Sequence, residues 1–240
     1  VKPDLIITDG MLDVTTFLAL TRTVTHDVPV ILYMHENQLT YPWSPNDPEK
    51  INKRDAAYGF INYTSALVAD QVLYNSKYHL NSFLDAIEKL LHKLPDYRNI
   101  ETIIAIEKKS KVIPVGINLH RATKNKIESK NSVPILLWNH RWEYDKDPET
   151  FFNSLFQLKK NDVPFKLAII GREYERQPEI FKKANEILKD EIVQYGYVES
   201  ADEYYKWLWK SDILPVTNKQ DFFGISVVEA IACACFPLFP

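Results

Sequence analysis

Short apolar runs and longer runs of helical spacing alternate along the whole chain. Leu5 to Thr8 reads as a short strand closed by Asp9-Gly10, and Asp13 to Thr21 has helical spacing. Val28 to Met34 (VPVILYM) is apolar throughout, the pattern of a strand buried on both faces of a parallel sheet. A Pro-rich loop follows over Pro42 to Pro48, then a helix over Asp55 to Ala69, a strand over Asp70 to Asn75 and a helix capped by Ser76 that runs to about Leu91. Lys93 to Lys109 reads as a loop and then a helix from Asn99, with a short strand over Lys111 to Pro114. The pattern restarts at Ile135: strands Ile135 to Trp138, Phe165 to Ile170, Val193 to Tyr197, Asp212 to Val216 and Phe236 to Phe239 alternate with helices from Pro148, Pro178, Ala201 and Gly224.

Strands of four to six residues separated by helices of ten or more predict an α/β fold of doubly wound parallel sheets. Arg121 to Asn131 is charged and poor in apolar residues, so 121–132 is expected to be a linker. It separates an acceptor-side Rossmann-like domain over 1–120 from a second over 133–240, with a ligand cleft between them. The chain opens without Met directly into a strand and ends just after one, so both domains are expected to be incomplete and the sequence to be an internal piece of a longer protein.

Composition narrows the classes. Over 240 residues, 45% apolar and 25% charged content fit a globular protein, and a net charge of −3 gives no global basic field, so any nucleic-acid contact must come from a local patch. Only Cys233 and Cys235 are present. On a helix they point about 200° apart, unsuited to a disulfide or a metal clip, and read as buried reduced thiols of a cytoplasmic protein. No apolar run reaches transmembrane length. Neither G-x-G-x-x-G nor a Walker A sequence is present, which leaves dinucleotide chemistry little support.

Four strand-end loops hold the candidate chemistry. Asp221 and Glu229 lie on either side of Gly224, which opens a helix whose N-terminal amides favour anions. Gly224 admits a ligand close to the backbone, and Glu229 can accept from a vicinal diol such as a ribose; a cap and a solvated face are the plain alternative. Arg141 and Lys146 sit on the loop before a helix with Pro148 near its first position, a planar fork plus a point charge suited to a pyrophosphate, or else a surface ion-pair cluster. His35 ends VPVILYM and is followed by Glu36, Asn37 and Gln38. Gly171 with Arg172 closes another strand and permits close ligand approach. Lys50, Lys53 and Arg54, with Tyr58 and Tyr63 nearby, can touch a phosphate backbone while rings stack on bases, although an ordinary helix surface explains them as well. The run Tyr204-Tyr205-Lys206-Trp207-Leu208-Trp209 reads as core packing with an exposed aromatic edge.

Asp221-Phe222-Phe223-Gly224-Ile225 followed by Glu229-Ala230 resembles the donor-site E-x7-E motif of glycosyltransferase family 4, whose members are retaining, have the two-domain GT-B fold and need no catalytic metal. Arg141 and Lys146 stand where that family holds the donor diphosphate, and His35 where it faces the transferred sugar. The stretch Lys111 to Asn118 is similar to the one that closes the family's first domain. Within the family, Tyr33 to Leu39, Asp70 to Ser76 and Trp138 to Pro148 resemble the tRNA-queuosine α-mannosyltransferases. That resemblance implies transfer of mannose from GDP-mannose to queuosine in tRNA. Catalysis falls to His35, Arg141, Lys146 and Asp221, and donor binding to Gly171, Phe223, Gly224, Ile225 and Glu229. Glu36, Asn37, Gln38, Lys53 and Arg54 lie on the acceptor side. Two departures stand: Asp221 replaces the usual Glu, and the family's opening strand, Gly-containing loop and last helix are missing. A family 4 enzyme with another donor or acceptor, and a non-catalytic sugar-nucleotide or RNA-binding module, are the alternative readings.

Overall fold

The computed structural model describes residues 2–43, 55–128, 131–171 and 178–240. Two compact units are present, Val1–Val115 and Gly116–Pro240.

In the first, β1 (Ile6–Asp9), β2 (Val30–Met34), β3 (Gln71–Tyr74) and β4 (Ser110–Val112) form one sheet in the order β1-β2-β3-β4, every pair parallel. Val30, Leu32 and Met34 are fully buried, while Ile31 and Tyr33 are half-buried, so the apolar run of β2 is closed off completely on one side only. Helices Val14–Leu20, Asp55–Val68, Lys77–His92 and Glu101–Lys108 complete the unit, with a short turn of helix at Arg22–Thr25. Two of them start on side-chain caps, Ser76 as the sequence predicts and Asp13 as well. The Asp13 carboxylate accepts from the Thr16 amide and the Ser76 hydroxyl from that of His79. Leu32, Met34, Val72, Tyr74, Phe83, Ile87 and Ile106 make the core, and each such side chain contributes about 1.5–3 kcal/mol on burial.

The second unit has β5 (Ile135–Trp138), β6 (Lys166–Ile170), β7 (Ile192–Gly196), β8 (Ile213–Pro215) and β9 (Phe236–Leu238), all parallel, in the order β7-β6-β5-β8-β9. Successive side chains of a strand face opposite ways. Leu136 and Trp138 therefore join one core, with Trp142, Phe151, Phe152 and Phe181, while Leu137 joins another, with Ala168, Leu208, Leu214, Val227 and Ala230. Helices Pro148–Lys160 and Ile180–Ile187 supply the first core, and Ala201–Lys210 and Ile225–Ala232 the second. This sheet is covered on both faces.

The polar stretch expected to be a linker begins inside this unit. Leu119–Lys124 is a helix whose Ala122 is buried in the second core, and the Trp209 indole N–H donates to Ala122 O at 2.8 Å. Arg121 reaches Asp202 at 3.1 Å. One small apolar residue, a carbonyl and polar contacts to Asp202 dock this helix, which a reading of hydrophobic periodicity passes over.

Candidate functional site

Strand order reverses at β5, which pairs with β6 on one side and β8 on the other. Ligands of open α/β sheets bind at such a reversal, beyond the carboxyl ends of the two strands. Among the described residues, the first unit's strands follow in chain order, β1-β2-β3-β4, without such a reversal.

Beyond β5 the chain is held tightly before it surfaces. Asn139 and His140 are buried. The Asn139 amide donates to Ser226 O at 2.8 Å and lies 3.4 Å from the Tyr204 hydroxyl, while His140 Nδ1 is 2.9 Å from the Ser226 hydroxyl. Burial, and then the Lys146 ammonium, push His140 down to about 4, so it stays neutral and fixes the helix Ile225–Ala232 as a dipolar partner. Arg141 then emerges exposed, its guanidinium 3.3 Å from Glu143. A single 3-10 turn, Tyr144–Lys146, leads to Asp147, which takes a left-handed conformation (φ 49°) and caps the helix that starts at Pro148.

Lys146 is almost buried between two carboxylates, 3.1 Å from Asp145 Oδ2 and 2.7 Å from Asp221 Oδ1. The Asn218 amide donates to the other Asp221 oxygen. Two more bonds stitch the loop after β8 to this turn: Thr217 Oγ1 donates to Lys146 O at 3.0 Å, and the Lys219 amide to Asp145 O at 2.9 Å. Lys146 faces both carboxylates at once, so toward Asp145 and Asp221 it is a neutralising centre rather than a surplus positive charge.

Gly224 is the N-cap of the last helix at φ 76°, ψ 53°, a backbone region costly for residues with a Cβ. It places Ile225 exposed and Phe223 half-buried, above a cavity of about 330 Å³ whose walls include Asn218, Asp221, Phe223, Gly224, Val227 and Val228. Arg141, Lys146 and Glu229 do not line that cavity. Lys146 reaches it through Asp221. Glu229, one turn into the helix, is reached by a bond chain from Asn139 through Tyr204: its two oxygens accept from the Tyr204 and Tyr205 hydroxyls at 2.9 and 2.8 Å. Burial and the adjacent carboxylate push Tyr205 up to about 12 and Tyr204 higher still, so both remain donors.

Gly171 is glycine for want of room. A Cβ there would meet His140 O at 2.2 Å and the Trp142 indole nitrogen at 3.0 Å, so the space is filled by the β5 loop and not left for a ligand. In the first unit His35 is exposed at the end of β2, its ring 4.7 Å from that of Tyr33. Glu36 and Gln38 are half-exposed and bonded to each other at 2.9 Å. Asn37 is wholly buried, its Oδ1 accepting from the Leu39 and Thr40 amides. Lys50, Lys53, Arg54 and Arg172 lie outside the described residues. Cys233 and Cys235 are buried free thiols, both raised to about 12 by burial first.

Sequence reasoning missed Asn139, His140, Ser226, Tyr204 and Tyr205. Polar residues adjoining a strand's end were a visible signal for the first two. The tyrosine pair was assigned to packing, because a periodicity argument weighs rings and not hydroxyls.

Among the described residues no group of three or more His, Cys, Asp or Glu is placed to hold a metal ion, and no helix is long and apolar enough to cross a membrane. Residues 1–117 match the family model for the N-terminal region of tRNA-queuosine alpha-mannosyltransferase, and residues 120–239 match that for group 1 glycosyl transferases. The tRNA-queuosine alpha-mannosyltransferase of Drosophila melanogaster is 37% identical over 88% of this chain. The chain spans 56% of that relative's length. Among solved structures, the α,α-trehalose 6-phosphate synthase of Burkholderia multivorans aligns over 100% of this chain and 57% of its own, with TM-score 0.69 and 14% identity. Sucrose-phosphate synthase from Thermosynechococcus elongatus aligns over 98% and 55%, with TM-score 0.66 and 18% identity. Both are similar in fold. The fold class is α/β with parallel sheets, shared with GT-B glycosyltransferases.

Proposed function

The chain belongs to the group 1 glycosyl transferases, and from that premise we propose that it is the core of a retaining enzyme moving mannose from GDP-mannose to queuosine in tRNA. What supports the reading is the pairing of halves: a first unit of the tRNA-queuosine type joined to a second of the group 1 glycosyl transferase type, in which Lys146 contacts Asp221 and Arg141 stands on the same loop after β5. In this reading Arg141 meets the charge that builds on the departing diphosphate. Lys146 exchanges its Asp221 contact for a phosphate oxygen, and the released Asp221, with the amides at Phe223 to Ile225, holds the sugar. A donor aimed at developing charge is the strongest lever such a site has. Glu229 accepts from the ribose diol while Tyr204 and Tyr205 keep it oriented, and His35 serves the transferred sugar. No metal is needed, because the cations are the protein's own, and the working compartment is the cytoplasm.

The test is transfer of labelled mannose by the full-length enzyme to tRNA with and without queuosine, in buffer containing EDTA. Incorporation only into queuosine-bearing tRNA supports the reading. Equal labelling of both, transfer from another nucleotide sugar in preference, or loss of turnover to the chelator sinks the corresponding part of it.

A further inference from the structure

Three buried asparagines fasten the loop that follows β2. Asn37 accepts at Oδ1 from the Leu39 and Thr40 amides, at 3.1 and 3.0 Å, and so closes a turn on itself. Asn62, 2% exposed on the helix Asp55–Val68, accepts from the Gln38 amide at 2.7 Å and donates to Gly10 O at 2.7 Å. It thereby ties the loops after β1 and β2 together. Asn75, 4% exposed at the end of β3, donates to His35 O at 2.8 Å and meets His79 Nδ1 at 2.9 Å.

The directions of these bonds follow from the donor inventory. Because the Asn75 amide nitrogen serves His35 O, its oxygen is the acceptor, and His79 carries its proton on Nδ1. Burial, and then the charge of His35, lower His79 to about 4, so that tautomer persists at neutral pH. The result is a directed chain from the His79 ring, through Asn75, to the backbone of His35. A second bridge, at Asn62, holds Gln38 from the other side. Packing adds to this: a Cβ on Gly59 would meet Leu39 Cδ2 at 2.4 Å, so glycine there lets the Leu39 side chain lie against the helix without changing rotamer. The three inward side chains are neutral carboxamides, each with at least one bond to a main-chain atom, whereas the outward ones, His35, Glu36 and Gln38, are ionisable or polar and at least partly accessible.

We propose that Asn62 and Asn75 are positioning residues that hold the backbone from His35 to Gln38 in its working shape, so that the His35 side chain is presented on a preformed loop and not on one moulded by substrate. Supporting a reactive side chain by buried bonds to its own main chain confines it to the productive geometry. The kinetic arm of the test rests on the transferase reading above; the spectroscopic arm does not.

Asn75→Asp is isosteric, keeps an acceptor for His79 and sets a carboxylate oxygen against His35 O. In the full-length enzyme it is expected to lower kcat at least ~10-fold with the KM for GDP-mannose within about twofold, and to move the His35 ring resonances in a ¹H–¹³C spectrum while those of the second unit stay in place. A folded variant with unchanged kcat, or with His35 resonances unmoved, overturns the proposal. Asn62→Asp, which keeps the Gln38 bond and removes the donor to Gly10 O, carries the same two readouts should Asn75→Asp fail to fold. If the wild-type enzyme transfers nothing to tRNA the functional reading fails, and the resonance shifts alone decide the positioning role.

Discussion

Replacing Lys146 by Met strips the cation from between Asp145 and Asp221 while keeping the length of the side chain. At 2.7 and 3.1 Å, and an effective dielectric of about 20, the two attractions are each worth roughly 5–6 kcal/mol before desolvation. Most of that is offset by the cost of taking the ammonium out of water. What remains after Lys146→Met is a wholly buried Asp145 carboxylate that has lost its 3.1 Å Lys146 contact, and breaking a buried pair in this way costs about 3–5 kcal/mol. The effect belongs to the second unit, which holds four of the five tryptophans, so urea unfolding followed by indole fluorescence reads it directly. Adding Asp145→Asn removes the buried negative charge that Lys146 had faced and should restore at least half of the loss. A Lys146→Met chain that loses less than about 1 kcal/mol, the value of an ordinary surface pair, would refute the claim that this ammonium is the neutralising centre of the site.

Four further outcomes are expected. Arg141→Ala should cut turnover of the full-length enzyme ~10²- to 10³-fold with little change in thermal stability, since the side chain is exposed; near-normal rates in a transfer assay would remove it from the leaving-group role. Tyr204→Phe deletes one of the two donors to Glu229 and should raise the KM for the nucleotide sugar about 10- to 150-fold, the worth of one hydrogen bond to a charged group, with kcat nearly unchanged in the same assay. His79 and His140, each lowered to about 4 in the fold, bind a proton more readily when unfolded; their contribution is complete above pH 6.5 and drains away as pH falls from 6.5 to 4, on the order of 3 kcal/mol each. Chemical denaturation between pH 7.5 and 4 should show this loss in both units, and His140→Gln should flatten it in the second only. Gly171→Ala, whose Cβ would sit 2.2 Å from a main-chain oxygen, should lose about 1–3 kcal/mol in urea unfolding even though no ligand is involved.

Much of this architecture is written in the periodicity of the chain. VPVILYM, ILLW and KLAII are β2, β5 and β6 because such apolar runs have nowhere to go but a covered parallel sheet, and Asp13, Ser76 and Asp147 mark helix starts by their carboxylate or hydroxyl. The strand-end loops could be picked out because they interrupt those runs with charge. Their internal wiring could not. Whether Lys146 points at solvent or at Asp221 depends on the β5–β8 pairing, a contact between segments far apart in sequence. Gly171 shows the same limit from the other side: the sequence displays a missing side chain but not that His140 O fills the gap. The docked helix Leu119–Lys124 escapes a periodicity reading because its attachment is a backbone carbonyl, one alanine and polar contacts to Asp202.

The wholly parallel pairing of both sheets also governs how the protein reaches its fold. No strand can zip to its neighbour through a tight turn; each ladder waits for an intervening segment to collapse against it. β5–β6 and β6–β7 close over one helix apiece, but Leu136 meets Ile213 only across everything between them. Entropy of loop closure therefore makes β8 a late arrival, and late pairing slows folding. The cluster built from Lys146 and Asp221 forms with that last ladder, so during refolding a signal from this ion pair should lag behind the burial of Trp138, and the site is assembled by the slowest step of its own unit.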